Sequence, residues 1–222
     1  MENYAMKKKR MVQQLIEDGH IRKKEVIDAM ESVDRHIFVP DEIRDSAYVD
    51  SPLPIGEGQT ISAPHMVGIM AECLELDKDQ KVLEIGTGFG YHAAVIAKIV
   101  GENGKVYTVE RIETLAERAR ANLEKIKLSQ IVTVIVGDGS KGLLEYAPYD
   151  RIFVACAAPD IPKPLIEQLK DGGILLIPVG GRWHQTLFQC RKIGNKIEKK
   201  DMGGCVFVPL IGEYGAREER GE

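Results

Sequence analysis

A glycine-rich turn between an apolar strand and a helix constrains the fold of this chain more than any other feature. Residues 81–85 have the pattern of a buried strand, and glycines then occupy the alternate positions 86, 88 and 90. A helical segment over residues 92–100 follows immediately. Glycines at this spacing let the backbone pass close to a ligand because no Cβ stands in the way. Since a helix N-terminus directs free N–H groups toward such a turn, the sequence predicts a site for a nucleotide-like cofactor.

The spacing of this turn distinguishes between two classes of cofactor. A dinucleotide fingerprint, G-x-G-x-x-G/A, requires glycine or alanine at position 91, where this chain has Tyr91. The chain also carries Glu84 two residues before the first glycine. An acid followed by G-x-G-x-G is typical of methyltransferases that use S-adenosylmethionine, in which the loop lies beneath the amino-acid end of the cofactor. The pattern therefore favours S-adenosylmethionine over a nicotinamide cofactor.

Two further acids follow the next predicted strands. A strand over residues 105–110 ends in Glu110, close to the spacing of about 20 residues at which an acid meets ribose hydroxyls. A carboxylate suits that contact because it accepts hydrogen bonds from two adjacent hydroxyls. A strand over residues 131–136 runs into Asp138, expected beside the adenine amino group, and Gly139, where the base can approach the backbone. Taken alone, Glu110 is a solvated strand end and 137–139 an ordinary turn; their order after the glycine turn favours a common site.

The rest of the chain continues the alternation of strands and helices. A short helix is predicted over 162–169, and further strands are predicted over 149–156, 174–179, 185–192 and 196–207. This order predicts an α/β, Rossmann-like methyltransferase fold with a mainly parallel central sheet flanked by helices. Ligands of such sheets bind at the carboxyl ends of the strands, which is where Glu84, Glu110 and Asp138 fall.

Length and composition indicate one domain and exclude several partners. The 222 residues fit one α/β unit with an N-terminal extension, so we expect a single domain over residues 1–222. A net charge of −4 offers no electrostatic footprint for nucleic acid. The four cysteines lack metal-ligand spacing, so we expect no metal and a reducing compartment. With no membrane-length apolar run and no signal peptide, we expect a cytoplasmic protein without a membrane partner. We also expect a monomer.

The first third of the chain divides into a helical segment and a loop. Apolar residues recur at helical spacing within residues 6–16 and 23–33, so we predict that residues 1–50 form a helical cover on the sheet. Residues 51–66 are rich in proline and glycine and lead into a helix near His65. General rules make Ser62 the N-cap of that helix and Pro64 a first-turn residue, which would leave His65 without a chemical role.

The loop closely resembles a known signature. Residues 59–66, Gln-Thr-Ile-Ser-Ala-Pro-His-Met, are similar to the signature of the protein-L-isoaspartate (D-aspartate) O-methyltransferase family. Other segments resemble the family in the same order along nearly the whole chain: 39–40, 53–56, 83–91, 136–139, 149–152, 157–159, 169–173, 177–180 and 207–210. Any one segment is weak, but the ordered set is specific.

The resemblance implies a reaction and a set of site residues. The reaction is methylation of the α-carboxyl group freed when an Asn or Asp residue of a damaged protein or peptide rearranges to isoaspartate. The ester then collapses to a succinimide, and hydrolysis restores part of the chain to normal aspartate. The resemblance assigns Ser62 as the catalytic residue. It assigns the contacts to S-adenosylmethionine to His65, Glu84, Gly86, Thr87, Gly88, Glu110, Asp138 and Gly139.

Two positions depart from the family pattern. Ile211 follows the Val-Pro-Leu segment where some relatives carry a hydroxyl residue, so a side-chain hydrogen bond is missing there. Ala155-Cys156 stands where Thr-Ala is often found at the end of the fourth strand, and again a hydroxyl is missing.

The chemistry explains why the sequence shows no obvious general base. A peptide α-carboxyl group titrates near 3.5, so it is already ionised at neutral pH. The enzyme must mainly align the carboxylate oxygen with the methyl carbon and strip water from it. We therefore hypothesise that Ser62 donates a hydrogen bond that orients the carboxylate, assisted by backbone N–H groups of the turn over residues 62–65.

Three other functions remain open from the residues themselves. The closest alternative is a methyltransferase with another acceptor, either a nucleic acid or a small molecule. A methylase of amino groups would often show Asp/Asn-Pro-Pro-Tyr/Phe after the fourth strand, where residues 157–160 are Ala-Ala-Pro-Asp. Tyr91 disfavours a nicotinamide oxidoreductase. The intact substrate loop disfavours a non-catalytic module that only binds S-adenosylmethionine.

Overall fold

The computed structural model describes residues 3–217 and contains a seven-stranded sheet and a separate two-stranded hairpin. The helices are α1 (Tyr4–Glu17), α2 (Lys24–Ser32), α3 (Pro64–Cys73), α4 (Tyr91–Val100), α5 (Glu113–Lys125) and α6 (Lys163–Glu167). The strands are β1 (Leu53–Gly56), β2 (Gln59–Ile61), β3 (Lys81–Ile85), β4 (Lys105–Glu110), β5 (Val132–Val136), β6 (Tyr149–Val154), β7 (Leu169–Gly181), β8 (His184–Ile193) and β9 (Lys196–Cys205).

The large sheet has the order β5-β4-β3-β6-β7-β8-β9. Strands β3 to β7 are parallel, whereas β8 and β9 add an antiparallel edge. The chain moves outward from β3 to β4 and β5, and then returns beside β3 as β6. The direction of winding therefore changes between β3 and β6, which is where doubly wound sheets bind their ligands. The predicted mainly parallel α/β fold is confirmed.

Side chains alternate between two apolar layers because neighbouring residues of a strand face opposite sides of the sheet. Val82 and Leu176 belong to one core cluster, together with buried residues of α1 to α5. Leu83 and Leu175 belong to the other, which also contains Leu165 of α6. Since complete burial of one such side chain stabilises the fold by about 1.5–3 kcal/mol, both layers contribute to holding the strand ends in register.

The N-terminal region is helical, as its periodicity predicts. Met11 and Leu15 of α1, and Val26 and Met30 of α2, are buried in the same cluster as α4. Two short 3₁₀ helices, Arg35–Phe38 and Asp41–Ser46, complete this region. The longest helix, α1, has 14 residues, and none within residues 3–217 is long and apolar enough to cross a membrane.

Three local predictions differ from the structure. The strand predicted over 174–179 extends over Leu169–Gly181, because its ends pair with β6 and β8 beyond the apolar run. The loop predicted over 51–66 contains the antiparallel pair β1–β2. Helix α3 begins at Pro64 with Ala63 as its N-cap, so the expectation that Ser62 caps it is wrong.

Candidate active site

The glycine turn after β3 needs backbone angles that other residues rarely adopt. Gly86, Gly88 and Gly90 have φ values of 94°, 54° and 93°. The turn is closed by a hydrogen bond from the Gly90 N–H to the Thr87 carbonyl, with an N–O distance of 2.9 Å. Gly90 is the N-cap of α4, so the helix begins directly after the turn. Only glycine populates this left-handed region without strain, which explains the three alternating glycines.

Glu84 lies beneath the turn, inside the protein. Its Oε2 accepts a hydrogen bond from the Thr108 hydroxyl at 2.5 Å, while its Oε1 has no partner among residues 3–217. The Thr108 oxygen lies 2.6 Å from that of Thr87, and since Thr108 donates to Glu84, Thr87 donates to Thr108. Burial raises the pKa of Glu84 to about 8; the Thr108 hydrogen bond lowers it and the charge of Glu110 raises it. The carboxyl group is therefore mainly protonated at neutral pH.

Glu110 connects the turn to the start of the next helical segment. Its Oε2 accepts a hydrogen bond from the Gly88 N–H at 2.9 Å, and its Oε1 accepts one from the Ile112 N–H at 3.1 Å. Each carboxylate oxygen keeps a second lone pair. The two backbone donors hold the carboxylate in one orientation, so its remaining acceptor capacity is directed before any ligand arrives.

A cavity of about 320 Å³ opens at the carboxyl ends of these strands. Six of the residues predicted for the site line it: Ser62, Gly86, Thr87, Gly88, Glu110 and Gly139. Residues 59–61 and the C-terminal segment 208–211 form further parts of its wall. The fold thus brings together residues that are separated by nearly 150 positions in the chain.

Three residues predicted to contact the cofactor do not line this cavity, and His65 is one of them. Its backbone N–H donates to Asp50 Oδ1 at 2.9 Å, and its ring Nδ1 lies 2.9 Å from the same oxygen. The ring stacks at a tilt against His20, with the ring centres 5.4 Å apart. Asp50 therefore engages the backbone N–H and Nδ1 of His65, and the contact of His65 with the cofactor remains a prediction that this geometry does not favour.

Asp138 and Glu84 are the other two residues that were predicted to contact the cofactor and do not line the cavity. Asp138 Oδ1 accepts hydrogen bonds from the Ser140 N–H and hydroxyl, and Oδ2 accepts one from the Glu213 N–H at 2.9 Å. Burial disfavours the ionised form, but the hydrogen bonds from Glu213 and Ser140 outweigh it, so the pKa of Asp138 is lowered. Asp138 thus anchors the loop that follows residues 208–211. Its contact with adenine, and that of Glu84 with the cofactor, remain predictions.

The cavity also contains residues that sequence reasoning missed. His92 is in the first turn of α4, and neither ring nitrogen has a hydrogen-bond partner within residues 3–217. Burial lowers the pKa of His92 to about 3, so its ring is neutral. Ile112 and Leu115 add an apolar wall. The only sequence signal for these two residues is their place in the segment that follows Glu110. Among the described residues, no group of three His, Cys, Asp or Glu side chains could hold a metal ion.

Comparison with known proteins identifies the family. The family model described as protein-L-isoaspartate(D-aspartate) O-methyltransferase matches residues 6–215. The chain belongs to this family. Among curated relatives, protein-L-isoaspartate O-methyltransferase from Hyperthermus butylicus is 55% identical, over 95% of this chain and 91% of its own. Protein-L-isoaspartate O-methyltransferase 2 from Archaeoglobus fulgidus is 52% identical, over 98% of this chain and 99% of its own.

Solved structures agree with this fold. One protein-L-isoaspartate O-methyltransferase superposes with a TM-score of 0.86 at 29% identity, over 94% of this chain and 67% of its own. A Plasmodium falciparum protein solved with S-adenosyl-L-homocysteine has a TM-score of 0.81 at 24% identity, over 95% of this chain and 99% of its own. At that identity the second likeness shows the fold alone.

Proposed function

We propose that this chain transfers a methyl group from S-adenosylmethionine to the free α-carboxyl group of L-isoaspartyl residues in damaged proteins, which initiates their repair. The observation that carries the proposal is one cavity in which Ser62 of the signature segment meets the glycine turn and Glu110. Relatives that bear this activity in their names are 52–55% identical over nearly the whole chain.

The cavity suits an adenosyl cofactor in shape and in chemistry. A Cβ on Gly139 would lie 2.4 Å from Ile85 Cγ2, so no side chain fits between this wall and β3. Glu110 offers oriented acceptors for ribose hydroxyls, and Ile112 and Leu115 offer an apolar surface for a base. Gly86, Thr87 and Gly88 would hold the amino-acid end.

The protein contributes orientation and exclusion of water to the transfer. S-adenosylmethionine, when bound, supplies a methyl group that is activated by the sulfonium charge. Ser62 donates its hydroxyl hydrogen to the substrate carboxylate and fixes the attacking oxygen, and no base is needed because that carboxylate is ionised. Residues 208–211 form one wall of the cavity, and the hydrogen bonds that Asp138 accepts from Ser140 and Glu213 hold the loop behind them. Removing water from the carboxylate strengthens its interaction with the fixed donors.

Labelled S-adenosylmethionine and a matched pair of peptides test this function. We expect base-labile label on the peptide that contains isoaspartate and none on the peptide that contains aspartate at the same position. A peptide with D-aspartate, the second residue in the family description, shows whether that acceptor is also used. Binding of the cofactor without label on any of the peptides would contradict the proposal and favour a methyltransferase with another acceptor.

Replacing Ser62 by alanine tests the proposed role of the hydroxyl. We expect kcat/KM for the isoaspartyl peptide to fall about tenfold to a hundredfold, because a hydrogen bond to a charged group contributes about 1.5–3 kcal/mol. Affinity for S-adenosylhomocysteine, measured by calorimetry, should not change. Ser129→Ala is the matched control, since Ser129 is exposed at the opposite end of the sheet, before β5. A Ser62→Ala enzyme with the kcat/KM of the unmodified protein would exclude this role.

The remaining features of the proposed enzyme concern its organisation and its setting. We propose one domain over residues 1–222, in which residues 1–50 cover the sheet and residues 51–66 form the substrate loop. Of this range, residues 1–2 and 218–222 lie outside the described part of the chain. All four cysteines are free thiols, which supports a reducing, cytoplasmic setting, and the net charge of −4 supports the absence of a nucleic-acid partner. We also propose that the enzyme acts without a membrane partner. The monomeric state stays a prediction, which light scattering on the purified protein checks.

A further inference from the structure

Asp50 and His65 join the two ends of the β1–β2 hairpin. Asp50 lies shortly before β1, and His65 lies in the first turn of α3, shortly after β2. Asp50 Oδ1 accepts the His65 N–H at 2.9 Å, and the His65 ring Nδ1 lies 2.9 Å from Oδ1 and 3.0 Å from Oδ2. Ile61 of β2 pairs with Leu53 of β1. Ser62 therefore lies between two contacts that tie its segment to the start of the hairpin.

Asp50 takes the capping role at α3 that general sequence rules assign to Ser62. The N-cap residue, Ala63, makes no side-chain hydrogen bond, and Pro64 has no N–H to satisfy. The two N–H groups that follow His65 both donate to the Ala63 carbonyl, at 3.1 and 3.2 Å. Asp50 accepts the remaining N–H of this first turn, that of His65, which a helix cannot satisfy internally. The Ser62 hydroxyl is therefore not consumed as a helix cap, and Ser62 lines the cofactor cavity.

The contact between Asp50 and His65 acts through its geometry more than through its charge. The side chains of Asp50 and His65 are 37% and 33% exposed, so water screens their attraction and the pair adds little to the stability of the fold. Both donors nevertheless belong to one residue and reach one carboxylate, which fixes the start of α3 relative to β1. The ring of His20, with its centre 5.4 Å from that of His65, restricts the imidazole further.

We infer that Asp50 is a positioning residue for the methyl transfer. By holding the start of α3 through His65, Asp50 sets the place of the Ser62 hydroxyl in the cavity and thereby the orientation of the substrate carboxylate. The inference rests on the proposed function, because Asp50 controls the hydrogen bond that Ser62 donates to that carboxylate. Asp50 itself does not line the cavity. His65 thus has a role in the site that needs no contact with S-adenosylmethionine.

A double-mutant cycle with Ser62 tests this dependence. Asp50→Ala should lower kcat/KM for the isoaspartyl peptide about fivefold to tenfold, because the hydroxyl is kept but is held less firmly. In a Ser62→Ala background the same substitution should change kcat/KM by less than about twofold, since no hydroxyl is left to position. Asp45→Ala is the matched control, because Asp45 is an exposed carboxylate that pairs with Lys7, and it should leave kcat/KM unchanged. An equal loss in both backgrounds would show a general structural effect and overturn the inference.

His65→Phe separates the contact with Asp50 from a contact with the cofactor. It removes the ring donor but keeps the backbone N–H, so kcat/KM should fall about twofold to threefold, less than in Asp50→Ala. Affinity for S-adenosylhomocysteine, measured by calorimetry, should stay that of the unmodified protein in both variants. Weaker binding of S-adenosylhomocysteine to His65→Phe would assign the His65 ring to the cofactor and overturn the inference.

Amide hydrogen exchange follows the contact directly, without turnover. In Asp50→Ala the His65 N–H loses its acceptor, so its exchange should become several-fold faster, whereas the amides of α5 should keep their rates. Circular dichroism confirms folding, which matters because the charge of Asp50 also acts on the buried Arg35. His65→Phe keeps that charge, so the cycle with Ser62 can be run on it as well.

The outcomes separate the positioning role from the proposed function. Full kcat/KM in Asp50→Ala, with faster exchange of the His65 N–H, would overturn the positioning role and leave the proposed function standing. Absence of methylation of every isoaspartyl peptide by the unmodified enzyme would overturn both.

Discussion

Replacing Glu110 by alanine is expected to weaken the binding of S-adenosylhomocysteine more than a hundredfold. The substitution removes the acceptor of the Gly88 and Ile112 N–H groups and, with it, the carboxylate proposed to hold the ribose hydroxyls. Hydrogen bonds to a charged group contribute about 1.5–3 kcal/mol each, and every 1.4 kcal/mol corresponds to about a tenfold change in affinity. The effect is large because the glycine turn and the ligand lose the same partner.

Isothermal titration calorimetry measures this effect, and two further variants locate its cause. Glu110→Gln retains one acceptor oxygen but no charge. We therefore expect its affinity for S-adenosylhomocysteine to lie between that of the unmodified protein and that of Glu110→Ala. Glu117→Ala removes an exposed carboxylate from α5 and should bind S-adenosylhomocysteine as the unmodified protein does. A dissociation constant for Glu110→Ala within threefold of the unmodified protein would show that Glu110 does not hold the cofactor.

Replacing Glu84 by glutamine is expected to change how the free energy of unfolding depends on pH. Burial raises the pKa of Glu84 from 4.5 to about 8, so the folded protein binds a proton that the unfolded chain releases above pH 4.5. The contribution of the protonated carboxyl group is fully present below pH 4.5 and is lost as the pH rises toward 8. Over that window the unmodified protein should lose about 3–5 kcal/mol relative to Glu84→Gln, which is neutral throughout.

Denaturant unfolding at pH 5, 7 and 9 measures this difference. Glutamine can still accept the hydrogen bond from Thr108, so the substitution keeps the contact beneath the turn and removes only the titration. Glu117→Gln serves as the control, because an exposed carboxylate should leave the pH profile nearly unchanged. If the free energies of unfolding of Glu84→Gln and of the unmodified protein changed in parallel from pH 5 to pH 9, Glu84 would not hold a proton in the folded protein over this range.

Much of the fold followed from local patterns. The glycine turn, the apolar strands and the acids at their carboxyl ends are properties of short segments. They predicted the parallel sheet correctly, and a cavity lies at the carboxyl ends of the strands, where we predicted the cofactor site. The two helices before residue 50 were likewise visible in the spacing of apolar residues. The exact ends of β7 could not be predicted from local patterns, because they depend on pairing with β6 and β8.

The fine arrangement of the site required contacts between distant segments. His65 and Asp138 belong to recognisable motifs, but their polar groups bond to Asp50, 15 residues before His65, and to Glu213, 75 residues after Asp138. Glu84 lies at the expected strand end, yet it faces Thr108 inside the protein and not the cavity. A motif specifies which residue follows a strand, whereas the direction of its polar groups depends on which neighbours the fold provides.

The sequence by itself determined the fold class, the family and the edge of the sheet at which we predict the cofactor site, because these depend on periodicity and on backbone angles within a few residues. The tertiary structure alone decided which of the predicted residues line the cavity and that Glu84 is buried and protonated. These properties arise from burial and from hydrogen bonds between segments far apart in the chain, and neither quantity exists until the chain has folded.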